Sequence, residues 1–217
     1  MACFRIRNAT QNHVILAAFL ATSPLLATGA AAQENSASDL SKKLSNPVSS
    51  LISVPIKLDY NSGFTGGNGE QTTVTVQPVI PFSISTDWNV ISRTIMPFVF
   101  QDGVIPALGH QSGFANTTQS FFFSPKAPTK GGLIWGVGPI FQLPTATDRI
   151  APADWGAGIT GVVLKQTGGL TIGALASYSG SVGDGEFGNK FSAAYMQPFV
   201  SYSTPSGTSY TLNTEST

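Results

Sequence analysis

TTVTVQPVIPFSI, residues 72–84, places Val74, Val76, Pro78, Ile80, Phe82 and Ile84 on one face of an extended chain and Thr73, Thr75, Gln77, Val79, Pro81 and Ser83 on the other. The division follows because successive side chains of a strand point to opposite sides. One face is apolar along its whole length, while the other carries hydroxyls and an amide. A wall strand of a membrane β-barrel needs that asymmetry: apolar atoms toward lipid and a lumen side free to be polar. The fifth segment repeats it, setting Leu133, Trp135, Val137, Pro139, Phe141 and Leu143 against Ile134, Gly136, Gly138, Ile140 and Gln142. A weaker version sets Leu170, Ile172, Ala174, Ala176 and Tyr178 against Thr171, Gly173, Leu175, Ser177 and Ser179.

Working outward from this stretch, about nine apolar-rich segments follow residue 48, at 49–60, 72–84, 88–100, 118–126, 132–145, 155–166, 170–180, 190–204 and 208–216. The gaps at 61–71, 101–117, 146–154 and 181–189 are long and rich in Gly, Asn, Asp and Ser; those at 85–87, 127–131, 167–169 and 205–207 are short. Bacterial outer-membrane barrels alternate short periplasmic turns with longer external loops in this way. The expected fold is therefore all-β, an antiparallel up-and-down transmembrane β-barrel over 49–217.

A soluble β-sandwich shows the same alternation, so the pattern alone does not choose between lipid and a second sheet. Charge and aromatic placement favour lipid. Arg93 and Lys165 are nearly the only charges away from strand ends, whereas Asp102, Asp148, Asp154, Asp184 and Glu186 sit in the long gaps. A charge on a lipid face at mid-depth costs about 2 to 4 kcal/mol, so Arg93 and Lys165 are expected to point inward or lie near a rim. Trp88, Trp135, Trp155, Tyr60, Tyr178 and Tyr202 fall near strand ends, as interfacial girdles do. Pro78, Pro97, Pro139 and Pro198 fall inside segments read as strands. Each removes a ladder donor, so bulges or local breaks in pairing are expected around them.

Residues 1–32 read as a cleaved export signal, with basic Arg5 and Arg7, an apolar stretch at 14–26 and small Ala30 and Ala32 before the cut. Residues 33–48, with Lys42 and Lys43, form a mobile or briefly helical periplasmic lead-in. Setting the leader aside leaves nine Lys and Arg against eleven Asp and Glu. No basic footprint for nucleic acid exists. Cys3 and His13 both lie in the leader, so the remainder has no cysteine and a single histidine, His110, in a loop beside Gly109 and Gly113. Disulfides, cysteine nucleophiles and cysteine zinc sites are excluded there. A nucleophile paired with a positioned base is poorly supplied, so no enzyme, no cofactor and no metal are expected. Gly66-Gly67-Asn68-Gly69 lacks the Lys-Ser or Lys-Thr of a phosphate loop and reads as a loop tip.

Several runs of the chain are similar to blocks of one family. They are Asn46-Pro47-Val48 with Leu51-Ile52, Gln77-Pro78-Val79-Ile80-Pro81-Phe82, Ser92-Arg93-Thr94-Ile95-Met96-Pro97, residues 119–128, GGLIWGVGPIFQLPTATD at 131–148, 197–202, and LNTEST at 212–217. In the same order they resemble an uncharacterised proteobacterial outer-membrane β-barrel family, often labelled "neuromedin U" or transporter and distantly like the phenol-degradation MetA-pathway outer-membrane proteins. The resemblance covers nearly all of 46–217 and implies an outer-membrane barrel. It brings no catalytic or ligand residues. It also implies about three further strands after 217, so that nine strands stand in for an expected twelve or so and the chain reads as a truncated barrel, single-chain bacterial barrels being even-numbered.

The expected function is a passive outer-membrane channel or transporter for small solutes, with Thr73, Thr75, Gln77, Arg93, Gln142 and Ser177 lining the lumen. A luminal Arg93 would bias the pore toward anions. The alternative is a structural or binding barrel whose lumen is filled, suggested by inward Val79, Ile134, Ile140 and Leu175, and whose external loops contact a partner. Outer-membrane lipid, periplasmic chaperones and the barrel-assembly machinery are the expected partners.

Overall fold

The computed structural model describes residues 2–8, 15–19, 30–64, 69–105, 108–148, 150–183 and 190–217. Two short strands, β1 (Ala2–Asn8) and β2 (Ile15–Phe19), precede a helix, α1 (Ala30–Leu44). The rest is strand: β3 (Ile56–Ser62), β4 (Glu70–Val76), β5 (Val79–Ser83), β6 (Trp88–Asp102), β7 (Gln111–Phe114), β8 (Thr117–Pro125), β9 (Leu133–Leu143), β10 (Gly156–Thr167), β11 (Leu170–Ser181), β12 (Ser192–Ser203) and β13 (Ser209–Asn213). From β3 to β13 each wall strand pairs antiparallel with the next, in the order β3-β4-β6-β8-β9-β10-β11-β12-β13, and the sheet curls into a half-barrel. At its two ends the backbone of β1 runs parallel to β3 and that of β2 antiparallel to β13. No helix among the described residues is long and apolar enough to cross a membrane.

The two strands missing from a simple count of nine wall segments are interruptions. β4 and β5 pair with β6 in one continuous register, Val76 opposite Met96 and Val79 opposite Arg93, so 70–83 is one wall segment broken at Gln77-Pro78. Pro78 has no amide to donate, yet its carbonyl accepts from the Thr94 amide at 3.0 Å, which keeps the register across the break. β7 and β8 likewise make one segment. Phe98 faces Phe114 while Ile95 faces Thr118, so one extra residue sits in the β7–β8 side, opposite Pro97. That is a β-bulge, and its Asn116 side chain donates to the Pro152 carbonyl at 2.7 Å.

The remaining prolines behave alike. Between β8 and β9 the pairing stops at Ser120–Ile140 and resumes at Phe123–Val137, skipping the pair that would place Pro139 in the ladder. Between β12 and β13 it stops at Phe199–Asn213 and resumes at the Met196–Ser216 bridge, skipping Pro198. Pro55 does the same in the first segment, where a Ser53–Val79 bridge continues the β3–β4 register beyond it. This corrects the first expected strand: regular pairing starts at Ile56, and residues 49–52 lie outside the ladder. The long gap 101–117 also needs correcting, since it contains β7 as an extension of the wall.

Tight turns close the short gaps. Thr167 pairs with Leu170, leaving Gly168-Gly169 as a two-residue hairpin loop. Gly168 adopts φ 57°, which the twist-matched turn requires and which only glycine reaches without a steric cost. Outward-facing side chains are apolar over the middle of the wall: Val137 is 39%, Ile159 57%, Ile172 51% and Met196 55% exposed. Aromatic residues mark both ends. Trp88 and Trp135 meet edge-to-face at 5.8 Å near the short turns, and Trp155 and Tyr178 stand exposed near the long loops. Lys165 is exposed three residues before the β10–β11 turn, and Arg93 points inward.

Candidate functional site: a half-filled lumen

Inward-facing positions of the wall divide by height. Near the short turns they are large and apolar: Ile91, Phe122, Val162, Leu164, Leu175 and Phe199 form one buried cluster, with Ile91 0% and Phe122 1% exposed. Val79 and Ile134 pack against it, and Val48, delivered by the segment after α1, completes it. Gly136 makes the room. A Cβ on that residue would stand 3.0 Å from Val48 Cγ1 and 3.3 Å from Phe122 Cβ. A core inside the curl of a sheet, and not between two sheets, removes these side chains from solvent by lumen filling.

Helix α1 seals the same end through polar contacts with the hairpins. Ser41 Oγ donates to Ser203 Oγ at 3.1 Å and also touches Ser209 Oγ. Ser45 Oγ lies 3.3 Å from Thr171 Oγ1, and Gln166 Nε2 donates to the Lys42 carbonyl at 2.9 Å. Thr171, Ser201 and Ser203 are buried polar groups, and each finds a hydroxyl or amide partner in this cluster. Buried hydroxyls so paired avoid the desolvation penalty of an orphan donor. Helix α1 and the segment after it therefore plug the interior at the short-turn end.

Above the plug the interior opens into a cavity of about 410 Å³. Thr75, Gln77, Arg93, Gln142 and Ser177 line it; Thr73 does not, and stands between Asp59 and Val99 in the wall, two residues farther toward the long loops. Arg93 Nη2 donates to Gln77 Oε1 at 2.9 Å. Also at the cavity, Lys57 Nζ reaches Glu215 Oε1 at 3.3 Å and Asp59 Oδ2 at 3.4 Å, and Gln197 Nε2 donates to the same Glu215 oxygen at 3.1 Å. The Lys57–Glu215 contact joins the first wall strand to the stretch after the last. Toward the long loops an amide relay continues the polar lining, Gln71 Nε2 donating to Gln101 Oε1 at 3.0 Å and Gln101 Nε2 to Gln111 Oε1 at 2.6 Å.

Sequence reasoning missed Lys57, Tyr195, Gln197 and Glu215 as cavity residues. Alternation in their segments is blurred by the Pro55 and Pro198 interruptions, and Glu215 lies beyond the last regular strand. The amide relay was legible in principle, as glutamines at inward parity near the long-loop ends of neighbouring strands. His110 is exposed in its loop and does not line the cavity. In comparisons with known proteins, no family model, no curated protein and no solved structure matches this chain.

Proposed function

We propose that this chain is an outer-membrane β-barrel protein of the exported family it resembles, one that admits small solutes into its lumen and holds the short-turn end shut with its own N-terminal lead-in. One observation carries the reading: inward-facing positions are packed to exclusion at one end, around Phe122 and Val48, and lined with amides, hydroxyls and paired charges around a cavity at the other. An apolar outer face with aromatic residues at both ends supports placement in a bilayer. Between its end strands the curled meander pairs its backbone within the sheet, as lipid demands of a wall.

The filled floor distinguishes a plugged barrel from an open pore. Passage of a solute requires the lead-in to leave its contacts with Ser203, Thr171 and Gln166. Proteoliposome swelling tests this: the intact chain is expected to be nearly sealed, and deletion of residues 33–48 to raise the swelling rate several-fold in a urea-stable barrel. Equal, low rates for both would favour the second reading, a barrel that binds but does not conduct, for which the buried floor is also the supporting feature. Cell fractionation with heat-dependent gel mobility tests the location, since recovery in a soluble periplasmic extract would remove the membrane premise.

A further inference from the structure

The outward face of the wall has a recess of its own. A groove of about 530 Å³ crosses β6, β8, β9 and β10, lined by Trp88, Phe123, Trp135, Val137, Pro139 and Ile159. It lies where the β8–β9 ladder skips from Phe123–Val137 to Ser120–Ile140, and Gly138 and Gly158 add no side chain to it. From Trp135 to Pro139 it follows β9 for roughly 13 Å at the rise of a strand. Apart from the two indole N–H groups, every side chain that lines it is apolar. Trp88 and Trp135 frame its short-turn end, edge-to-face at 5.8 Å.

A cation stands just past the two rings. Lys165 shares the outward face with Val163 and Ile159 and pairs with Leu133, two residues beyond Trp135 toward the short turn. Its stem runs beside Gly132, with Cε 3.6 Å from where a Cβ on that glycine would stand, so the ammonium reaches along the wall toward the short-turn end. Among the described residues no acid pairs with Lys165. Lys126 and Lys130 lie in the adjoining β8–β9 connection, against Asp87 of the β5–β6 connection. Lys126 Nζ is already taken by Ser83 Oγ and the Ser85 carbonyl, at 2.6 Å each. The rim at this end is therefore net positive, and the groove beneath it is greasy. Chain below and negative charge above is the layout of an anionic lipid.

We propose that this groove holds an acyl chain of an anionic phospholipid, with the headgroup phosphate on Lys165 and the chain against Val137, Pro139 and Ile159. Trp88 and Trp135 mark the boundary between the two, where amphipathic rings settle in a bilayer. A zwitterionic lipid offers the same chain without net charge, so Lys165 is the residue that selects between them. This inference rests on the bilayer placement proposed above and adds which lipid occupies this part of the wall.

Tryptophan quenching by lipids brominated on their acyl chains tests it, because bromine quenches an indole that it touches. The full chain is reconstituted in phosphatidylcholine vesicles, and brominated phosphatidylglycerol is compared with brominated phosphatidylcholine at equal mole fraction. Phosphatidylglycerol is expected to compete for the places beside Trp88 and Trp135 about fivefold better, the worth of one lysine at an anionic surface. Trp155, exposed at the long-loop end, is expected to report both lipids alike, and Trp155→Phe removes its share of the emission. Lys165→Gln is expected to abolish the preference and Lys165→Arg to keep it. The ratio on the unaltered chain needs no variant, so a misfolded Lys165→Gln cannot mask the answer. Equal quenching by the two lipids, or a preference that survives Lys165→Gln, overturns the anionic-lipid site and leaves the bilayer placement standing. Quenching by neither overturns both.

Discussion

Phe122 and Lys57 show how single residues set the two halves of the lumen. Phe122 is 1% exposed at the centre of the inward cluster, so Phe122→Ala removes a fully buried ring and leaves a void. The expected loss is about 3 to 5 kcal/mol, read as a lower urea midpoint of the heat-modifiable gel band. Lys57 contacts both Asp59 and Glu215. Lys57→Met removes the ammonium that both carboxylates touch in a site shielded from water, with a cost on the order of 3 kcal/mol. Lys57→Arg, which keeps the charge, is expected to recover most of it in the same urea titration. Neither residue announces itself in the sequence. Phe122 sits in the run Phe121-Phe122-Phe123, where composition gives no hint that the middle ring alone turns inward. Alternation with buried Ser120 and Ser124 decides it, two small hydroxyls flanking the ring on the same face.

At the scale of the strand, the outer face separates a membrane wall from a soluble one. Val137 lies near the middle of β9, outward and 39% exposed, opposite Gly161 of β10. Val137→Arg is expected to destabilise the barrel by about 2 to 4 kcal/mol in lipid vesicles, measured by urea unfolding. An unchanged midpoint would place water, not hydrocarbon, on that face. The same wall tolerates polar side chains where they satisfy one another. Gln119 accepts from Thr94 Oγ1 at 2.6 Å and donates to Ser92 Oγ at 2.9 Å. The prolines belong to this scale too. Pro78, Pro97, Pro139 and Pro198 each remove a ladder donor, and bulges or local breaks are expected around them. Each proves to lie at a break or opposite a bulge, and the register resumes on the far side of every break.

For the molecule as a whole, the proposed gating turns on α1 and the segment that follows it. Ser41 and Ser209 are in side-chain contact, and the chain has no cysteine after Cys3. A Ser41→Cys/Ser209→Cys pair is therefore expected to tether α1 to β13. Oxidised, the pair should hold proteoliposome swelling at the sealed baseline even in moderate urea; reduced, it should follow the unaltered chain. Swelling that ignores the redox state would show that α1 is not the gate. A plug held by hydroxyl pairs and one valine is suited to release, because few apolar contacts must be broken at once.

Strand positions, turn positions, the outward face and five of the six cavity residues named from parity were determined by the sequence itself, because a period of two and glycine-marked hairpins are local properties of the chain. Parity assigns a residue to a face. It cannot say how far along the lumen that residue sits, or which inward neighbours meet across the curl. Tertiary structure alone decided that Val48 drops into the space left by Gly136, that α1 docks on the short-turn hairpins, and that Lys57 meets both Asp59 and Glu215. These contacts join residues up to 168 positions apart, and only the curling of the sheet brings them within reach.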